Sequence, residues 1–343
     1  MKIIPLTKDL HGQWDAYILG HPQGSPFHLS NWMTAVEQSF GHVACSLLLQ
    51  DKKDGNICGV LPLTRIKSIL FGDILCSIPF AAYGGILSDN EETFTLLLDK
   101  AKEQAGALNV DYLELRFFQA AETGLPETDL HYTFIKELSR DHEENMLAIP
   151  RKQRAMVRKG IKAGLRAYFS RDALDDFYDL YAANVQRMGT PVFARKWFAN
   201  LLASFGEHAD LLVIEHQGRI VSGVLSLYFR DTVLPYYAAS DSSYWHLAPN
   251  DFQYWELMRH AVERGCRFFD YGRSKKGTGH FRYKCHWGFE PRPLHYQYFL
   301  HNLDHLPQLN PLNPKYRLKI AAWKKLPPPL AKMFGPHIVK YIP

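Results

Sequence analysis

One segment pattern occurs twice in this chain of 343 residues. Residues 26–41 read PFHLSNWMTAVEQSFG, and residues 191–206 read PVFARKWFANLLASFG. The proline, the tryptophan and the closing Ser-Phe-Gly recur at the same places, so that Trp32 corresponds to Trp197. A repeat of this kind predicts two tandem copies of one structural unit.

The segments after each copy also correspond. Residues 45–66 and residues 209–230 each contain two alternating apolar runs around a glycine turn, which is the pattern of a β-hairpin. A third apolar strand, a helix and a closing strand follow each hairpin. We therefore predict an α/β (α+β) fold of two tandem units with mixed sheets, which arose by internal duplication. This order of elements resembles the GNAT acyltransferase fold, and a fold alone does not fix a function.

The repeat also predicts the domain boundaries. The first GNAT-like domain takes residues 1–148, and the second takes residues 149–300 with a basic lead-in helix at residues 151–166. A proline-rich basic tail takes residues 301–343. Two domains agree with the length of the chain.

The net charge of +5 is unevenly distributed. Residues 151–166 hold seven lysines and arginines and no acidic residue. Residues 305–343 hold seven more, again with no acidic residue. Positive charge concentrated in this way favours anionic partners such as phosphates, nucleic acids or an anionic membrane surface.

The composition indicates the cellular location of the protein. Its five cysteines lack CxxC and Cys/His ligand spacing, which argues against disulfides and against a metal site. The first residues lack the apolar core of a signal peptide, and no apolar run reaches the roughly 18–20 residues that span a bilayer. We expect a cytoplasmic protein, with a peripheral position at the inner face of the cytoplasmic membrane as a second option.

The basic segment 151–166 has a clear binding pattern. On a helix its basic face consists of Arg151, Arg154, Arg158, Lys162 and Arg166, and its apolar face of Val157, Ile161 and Leu165. A solvated helix face normally interleaves acidic residues, and this one has none. We therefore predict that Arg151, Arg154, Arg158 and Lys162 bind phosphate or nucleic acid.

A second candidate site follows the last predicted strand of the second unit. Residues 270–291 read DYGRSKKGTGHFRYKCHWGFEP, in which basic and histidine side chains surround a glycine-containing loop. Open α/β sheets bind ligands at the carboxyl ends of their strands, so this loop is placed to hold a phosphate or stabilise an oxyanion. An acetyl-CoA loop of the Q/R-x-x-G-x-G type needs Gln or Arg where Ser274 stands. The loop therefore gives little support to an ordinary CoA site.

A third candidate is the small-residue segment 77–87, SIPFAAYGGIL, in the first unit. A ligand can approach the backbone closely at Tyr83-Gly84-Gly85, and a structural strand-to-turn role is an equal alternative. The sequence contains no nucleophile motif of the G-x-S-x-G type and no H-E-x-x-H. Direct attack by an amine on an activated ester needs no such nucleophile, so an enzyme is not excluded.

These motifs resemble the Fem (FemAB-type) aminoacyltransferases, also called peptidyltransferases, which have two tandem GNAT-like units. Tyr271-Gly272-Arg273-Ser274 resembles the family's FG-x-S strand end, and Phe281 to Phe289 resembles its F-K-x-G-F motif. Lys284 falls on the lysine of that motif, which the resemblance places near the reacting ester or the tRNA end. The resemblance implies transfer of an amino acid from aminoacyl-tRNA to an amine on a peptidoglycan precursor. The segment from Pro79 to Gly85 resembles the family's P-x-G-P loop and departs from it at its end.

The resemblance and the loop chemistry together assign the candidate residues. Lys284 and Arg273 are predicted to stabilise charge at the reacting end, and Ser274 to form a hydrogen bond there. The predicted substrate-binding residues are Tyr83, Gly84, Tyr271, Lys276 and Arg282. We expect no metal and no tightly bound cofactor, with aminoacyl-tRNA or acyl-CoA as donor and a small-molecule, glycan or peptide amine as acceptor.

The tail segment 309–339 resembles a narrower branch, the FemAB-like proteins associated with PEP-CTERM/exosortase systems and encoded beside exopolysaccharide genes in Gram-negative bacteria. It reads as a proline-bounded basic amphipathic segment around Trp323, Lys324 and Lys325, which suits an anionic membrane surface. Packing of the tail across the second unit is an equal alternative.

The predicted function is aminoacyl or acyl transfer to an amine on an envelope or exopolysaccharide precursor. Two alternatives stay open at this point. One is an acyl-CoA-dependent GNAT N-acyltransferase. The other is a non-catalytic binding module that acts in exopolysaccharide assembly or protein sorting.

Overall fold

The computed structural model describes residues 1–68, 71–307 and 314–342, with the backbone alone for residues 314–318. Its strands are β1 (Lys2–Pro5), β2 (Leu47–Gln50), β3 (Ile57–Leu61), β4 (Thr64–Ser68), β5 (Gly72–Cys76), β6 (Leu87–Ser88), β7 (Tyr112–Phe117), β8 (Glu127–Thr128), β9 (His131–Glu137), β10 (Arg166–Phe169), β11 (Ala209–His216), β12 (Arg219–Phe229), β13 (Thr232–Ser240), β14 (Phe268–Asp270), β15 (Ser274–Lys275), β16 (Pro291–Pro293) and β17 (His295–Leu300). Its helices are α1 (His11–Gly20), α2 (Ser30–Phe40), α3 (Glu91–Ala107), α4 (His142–Ala148), α5 (Arg151–Lys162), α6 (Leu174–Met188), α7 (Arg195–Phe205), α8 (Pro249–Glu263), α9 (Gly279–His286), α10 (Pro314–Lys324) and α11 (Pro328–Val339).

The chain divides into two compact units. The described residues of the first unit lie within 1–131, 293–309 and 340–343, and those of the second lie within 132–292 and 310–339. These limits differ from the division predicted at residue 148. The reason is strand pairing, because β9 pairs with β14 in the second unit and β17 pairs with β7 in the first. Each unit completes a sheet with a strand from the other half of the sequence.

The predicted duplication is visible in the corresponding elements, and the tandem α/β fold is confirmed. Helices α2 and α7 come from the repeated segment, and Trp32 and Trp197 are fully buried in their units. The Trp32 indole donates to the carbonyl oxygen of Pro79 at 3.1 Å, and the Trp197 indole donates to the Tyr237 hydroxyl at 2.9 Å. Both tryptophans therefore anchor a helix to the segment that follows the predicted hairpin of the same unit.

Each of the two hairpins contains a glycine at which a helix side chain packs closely on the sheet. Gly59 lies opposite Leu49 in the first hairpin, and Gly223 lies opposite Val213 in the second. A Cβ atom at Gly59 would lie 2.8 Å from Leu97 of α3, and one at Gly223 would lie 2.9 Å from Phe177 of α6. Glycine at these two positions therefore lets a helix side chain pack directly on the sheet.

The first unit contains two sheets, in the orders β1-β2-β3-β6 and β4-β5-β7-β17-β8. Helix α3 buries Leu97, Leu98 and Ala101 against this core. Its start is capped by Asn90, whose side chain accepts from the Thr93 N–H at 3.0 Å. The third strand predicted at 73–87 is interrupted, because residues 77–86 leave the sheet between β5 and β6.

The second unit contains one sheet in the order β10-β11-β12-β13-β14-β9-β15, with β16 paired to β9. The parallel strands β13 and β14 pair only at Thr232↔Phe268 and Val233↔Phe269. Beyond these pairs β13 continues to Ser240 while β14 ends at Asp270, so the two strands separate. This opening is where a splayed sheet of the GNAT kind can admit a ligand.

The basic lead-in helix is shorter than predicted. The structure ends α5 at Lys162, and Gly164 adopts a left-handed conformation with φ of 72°. The Leu165 N–H then bonds to the Gly160 carbonyl oxygen at 3.3 Å, which closes the helix end. Arg166 therefore begins β10 instead of extending the basic face. Of the predicted apolar face, Val157 is buried, whereas Ile161 is 49% exposed.

Helices α10 and α11 of the tail pack on α6 of the second unit. The Trp323 indole donates to the carbonyl oxygen of Thr190 at 3.1 Å, and Lys332 pairs with Asp179 of α6 at 2.5 Å. Residues 309–313 of the tail motif lie outside the described residues. Within the described part of the chain, no helix is both long enough and apolar enough to span a membrane.

Candidate functional site

The candidate catalytic site lies where α9 meets the end of β14 in the second unit. The loop predicted at 270–291 contains a helix, because the Thr278 hydroxyl accepts from the Phe281 N–H at 3.3 Å and starts α9. The segment contains glycines and many charged residues, so it shows no apolar periodicity from which the helix could be predicted. Helix α9 carries Lys284 back onto the turn after β14.

Lys284 is the best-positioned of the predicted catalytic residues. Its Nζ donates to the carbonyl oxygens of Gly272 at 2.7 Å and Arg273 at 3.2 Å. The amino group also lies 5.3 Å from the ring centre of Phe134 and 5.5 Å from that of Tyr271. Burial lowers the pKa of Lys284 to about 7, the nearby Asp270 opposes this shift and Arg273 adds to it. The side chain therefore changes charge near neutral pH.

The turn that faces Lys284 is fixed by a buried carboxylate. Asp270 is fully buried, and its Oδ1 accepts from the Thr133 hydroxyl at 2.8 Å and from the Gly272 N–H at 2.9 Å. Gly272 has a φ of 71°, a conformation that favours glycine. Thr133 belongs to β9, 137 positions away in sequence, so no local motif predicts its part in the turn.

The other predicted residues of this segment occupy different environments. Ser274 is buried in β15, and its hydroxyl has no hydrogen-bond partner among the described residues. Tyr271 is buried in the core, with its ring centre 4.5 Å from that of Tyr254. Lys276 is exposed, with its Nζ 5.5 Å from the ring centre of Tyr132, and Arg282 donates to the Gly277 carbonyl oxygen at 3.0 Å. Lys284, Arg273, Ser274 and Tyr271 are thus brought together at one turn, and Lys276 and Arg282 lie on the exposed part of the segment.

A carboxylate that the sequence did not single out lies beside the aromatic cluster. Asp251, in the first turn of α8, accepts from the Tyr283 hydroxyl at 3.2 Å and from the Trp287 indole at 3.0 Å. Burial raises the pKa of Asp251 to about 6. Its partners lie more than 30 positions away in sequence, so no spacing rule predicts this contact.

The predicted phosphate-binding residues share the outer side of α5. The inner side packs through Val157 and through Gly160, where a Cβ atom would lie 2.7 Å from Phe252 of α8. Arg151, Arg158 and Lys162 are exposed, and Arg154 is half-buried. No carboxylate among the described residues pairs with any of these four side chains. An unpaired basic face of this kind retains its full charge for an anionic ligand.

Tyr83 and Gly84 belong to the first unit, where they line a cleft of about 410 Å³. Tyr83 is buried, with its ring centre 5.0 Å from that of Phe118. A Cβ atom at Gly84 would lie 2.8 Å from Ile78. The predicted substrate-binding residues therefore fall in both units. No cluster of potential metal ligands occurs within the described residues.

The comparisons with known proteins agree with this architecture. Residues 151–285, which lie in the second unit, match the family model described as the Acetyltransferase (GNAT) domain. The chain is similar to the crystal structure of FemX, with 17% identity and a TM-score of 0.65 over 93% of this chain and 99% of that one. A tandem GNAT protein from the clavulanic acid biosynthesis pathway matches with 11% identity and a TM-score of 0.55 over 89% of this chain and 99% of that one.

A third similar structure is the C-terminal domain of a putative lysylphosphatidylglycerol synthetase from Agrobacterium fabrum. It is 15% identical, with a TM-score of 0.57 over 84% of this chain and 92% of that one. No curated protein sequence matches the chain significantly. At these identities the similar structures establish the tandem GNAT fold and leave the donor and the acceptor to the site itself.

The GNAT fold implies acyl-CoA as a donor, and the start of α8 tests that expectation. A pyrophosphate binds well at a helix N-terminus that offers free N–H groups and no competing negative charge. Helix α8 follows the separating strand β13, and it begins with Pro249, which has no N–H. Asp251 adds a carboxylate to the same first turn. These residues do not fit a CoA pyrophosphate.

Proposed function

We propose that this chain is an N-acyltransferase of the FemAB type that transfers an aminoacyl group from aminoacyl-tRNA to an amine acceptor on an envelope or exopolysaccharide precursor. The observation that carries the proposal is the Lys284 amino group, whose burial lowers its pKa to about 7 beside the turn of Gly272. A base with a pKa near the working pH suits proton removal from an amine. The tandem GNAT fold supports the same class of reaction.

The reaction needs one proton transfer and one exchange of bonds. The acceptor nitrogen attacks the ester carbonyl carbon, the new C–N bond forms, and the C–O bond to the tRNA ribose breaks. Neutral Lys284 takes the proton that the nitrogen loses and returns it to the leaving ribose oxygen. This role replaces the charge stabilisation predicted for Lys284 from sequence, because its lowered pKa leaves much of the side chain neutral at pH 7.

Arg273 and Ser274 complete the proposed site. Arg273 keeps the predicted role of stabilising negative charge on the carbonyl oxygen. The Ser274 hydroxyl is buried without a partner among the described residues, and such a group is costly unless a ligand uses it. We therefore assign it a hydrogen bond to the bound donor or acceptor.

Two observations favour tRNA as the donor. The basic face of α5 consists of Arg151, Arg154, Arg158 and Lys162, and it is unpaired within the described residues. Phosphate contacts of this kind supply most of the affinity for a nucleic acid. The start of α8 does not fit the pyrophosphate of CoA, because it combines Pro249 with Asp251.

An acyl-CoA-dependent N-acyltransferase is the second candidate, and the GNAT family match over residues 151–285 favours it. The test is a binding titration of the full chain with aminoacyl-tRNA, uncharged tRNA and several acyl-CoAs at two salt concentrations. Tighter binding of charged tRNA supports the proposal. Binding of acyl-CoA alone would replace it with the second candidate, and binding of no donor would favour a non-catalytic module.

The tail supports a peripheral position at the inner face of the cytoplasmic membrane. Helix α11 exposes Leu330, Met333 and Phe334, which are spaced as neighbours on one helix face. Lys324 and Lys325 precede this helix with no acidic residue in the tail segment. An exposed apolar face beside basic residues suits an anionic lipid surface, where an envelope precursor would be found.

A further inference from the structure

The cleft of the first unit has aromatic walls and a negative rim. It lies between residues 84–88, the start of α3 and the residues that follow β7, and it encloses about 410 Å³. Its aromatic lining comes from Tyr83, Phe94, Phe117 and Phe118. A volume of this size is typical of sites for small molecules.

Contacts within the first unit hold the walls of the cleft in place. The ring centres of Phe94 and Phe117 lie 6.0 Å apart, and a Cβ atom at Gly85 would lie 2.4 Å from Phe117. The buried Arg116 guanidinium donates to the carbonyl oxygens of Ile78 at 3.2 Å and Ala81 at 2.9 Å. These bonds hold the segment before Tyr83, in which Ile78 has a strained φ of 63°.

The charge of the lining is negative. Glu91 and Glu122 are exposed at the cleft, and no lysine or arginine is among the described residues that line it. Neither glutamate side chain pairs with another described residue. The buried imidazole of His28 contacts the Ser25 hydroxyl at 2.7 Å and the Gly85 carbonyl oxygen at 3.1 Å, and burial lowers its pKa to about 4. His28 is therefore neutral at pH 7 and leaves the negative charge uncompensated.

We propose that this cleft binds a small ligand that carries a protonated amine on an apolar or ring-shaped body. Glu91 and Glu122 supply the countercharge, and the faces of the aromatic rings attract a cation and pack against the body of the ligand. A phosphorylated ligand is disfavoured, because like charges repel at the rim. The identification of this ligand with the amine acceptor rests on the proposed function, whereas the binding does not.

The test is calorimetric titration of the full chain with 2-phenylethylamine and with its uncharged N-acetyl derivative. We expect the amine to bind about tenfold more tightly, a difference of about 1.4 kcal/mol. The double variant Glu91→Gln/Glu122→Gln should lose this preference. Glu92→Gln is the matched control, because Glu92 is exposed in the same first turn of α3 and does not line the cleft.

Three results would overturn the proposal: equal binding of the two probes, a preference that survives in the double variant, or no binding of the amine. Amine binding without any acyl transfer would leave this inference intact and remove the proposed function. Acyl transfer by a chain whose cleft shows no preference for the charged probe would remove this inference and leave the proposed function intact.

Discussion

Lys284 Nζ donates a hydrogen bond of 2.7 Å to the carbonyl oxygen of Gly272. The contact joins α9 to the turn after β14, at the end of the sheet where β13 and β14 have separated. Asp270 holds the same turn from the other side through the Gly272 N–H. Backbone carbonyl oxygens therefore accept the hydrogen bonds of the Lys284 amino group, and burial lowers the pKa of this group to about 7.

The burial of Lys284 predicts a dependence of stability on pH. Its pKa is about 7 in the folded chain against 10.5 for the ordinary side chain, so the unfolded chain binds more protons between these values. The stability of the native chain should therefore rise with pH across this interval. Lys284→Met removes the cost of burying a charged amino group. The free energy of unfolding of this variant should therefore exceed that of the native chain most below pH 7, and the difference should shrink towards pH 10.

Urea denaturation across this range measures the difference between the two chains. Lys276→Met is the control, because Lys276 is exposed in the same segment. A difference between Lys284→Met and the native chain that does not change with pH would show that Lys284 is not buried as described.

The basic face of α5 predicts a salt-dependent loss of tRNA binding. Arg151→Gln/Arg158→Gln removes two exposed charges, and it should weaken binding about tenfold and reduce the salt slope by about 1.5. Arg195→Gln/Lys196→Gln removes two exposed charges from α7 and serves as the control. Filter binding at several salt concentrations measures both quantities. Equal losses of tRNA binding in the two double variants would show that the net charge of the chain, and not the basic face of α5, determines the binding.

The paired glycines of the hairpins predict equivalent losses of stability in the two units. Gly59→Ala would crowd Leu97, and Gly223→Ala would crowd Phe177, so each should lower the free energy of unfolding by about 1–3 kcal/mol. Gly12→Ala is the contrast, because no atom lies within 4 Å of the place that its methyl group would take on the exposed side of α1. That change should stabilise the chain by about 0.5–1 kcal/mol. Thermal and urea unfolding distinguish these outcomes, and a neutral result at Gly59 or Gly223 would contradict the close packing.

The exposed face of α11 predicts binding to anionic vesicles. The double variant Met333→Ser/Phe334→Ser should sediment about fivefold less, or lower still, with vesicles rich in phosphatidylglycerol. The reason is that each substitution removes apolar area that would contact the lipid surface. Leu19→Ser/Val43→Ser removes two exposed apolar side chains of the first unit and should change little. Absence of vesicle binding by the native chain would leave the tail with its packing role on α6 alone.

The sequence predicted the parts of the fold that depend on local pattern. The repeat around Trp32 and Trp197 and the two glycine hairpins follow from sequence similarity and turn chemistry, and the structure confirms them. The strand exchange of β9 and β17 depends on pairing with distant strands. Both strands continue their own half of the sequence, so local pattern alone groups each of them with that half.

The site was predictable in part for the same reason. Lys284, Arg273 and Ser274 stand in one short segment of the sequence, whereas the Thr133 hydroxyl that fixes the turn comes from β9. Helix α9 escaped detection because charged residues replace its apolar stripe. The glutamates of the first-unit cleft carry no motif, and only the fold brings Glu91 and Glu122 to one rim.

In the proposed reaction the chain transfers an aminoacyl group to an amine, with Lys284 as the proton acceptor. The test is mass spectrometry of product from aminoacyl-tRNA and an amine acceptor, with the native chain, Lys284→Ala and the control Lys196→Ala, which changes an exposed lysine of α7. We expect product with the native chain and the control, a rate that rises through pH 7, and a loss of at least about 100-fold in Lys284→Ala. An unchanged rate in folded Lys284→Ala, or product from acyl-CoA alone, would contradict the proposed function.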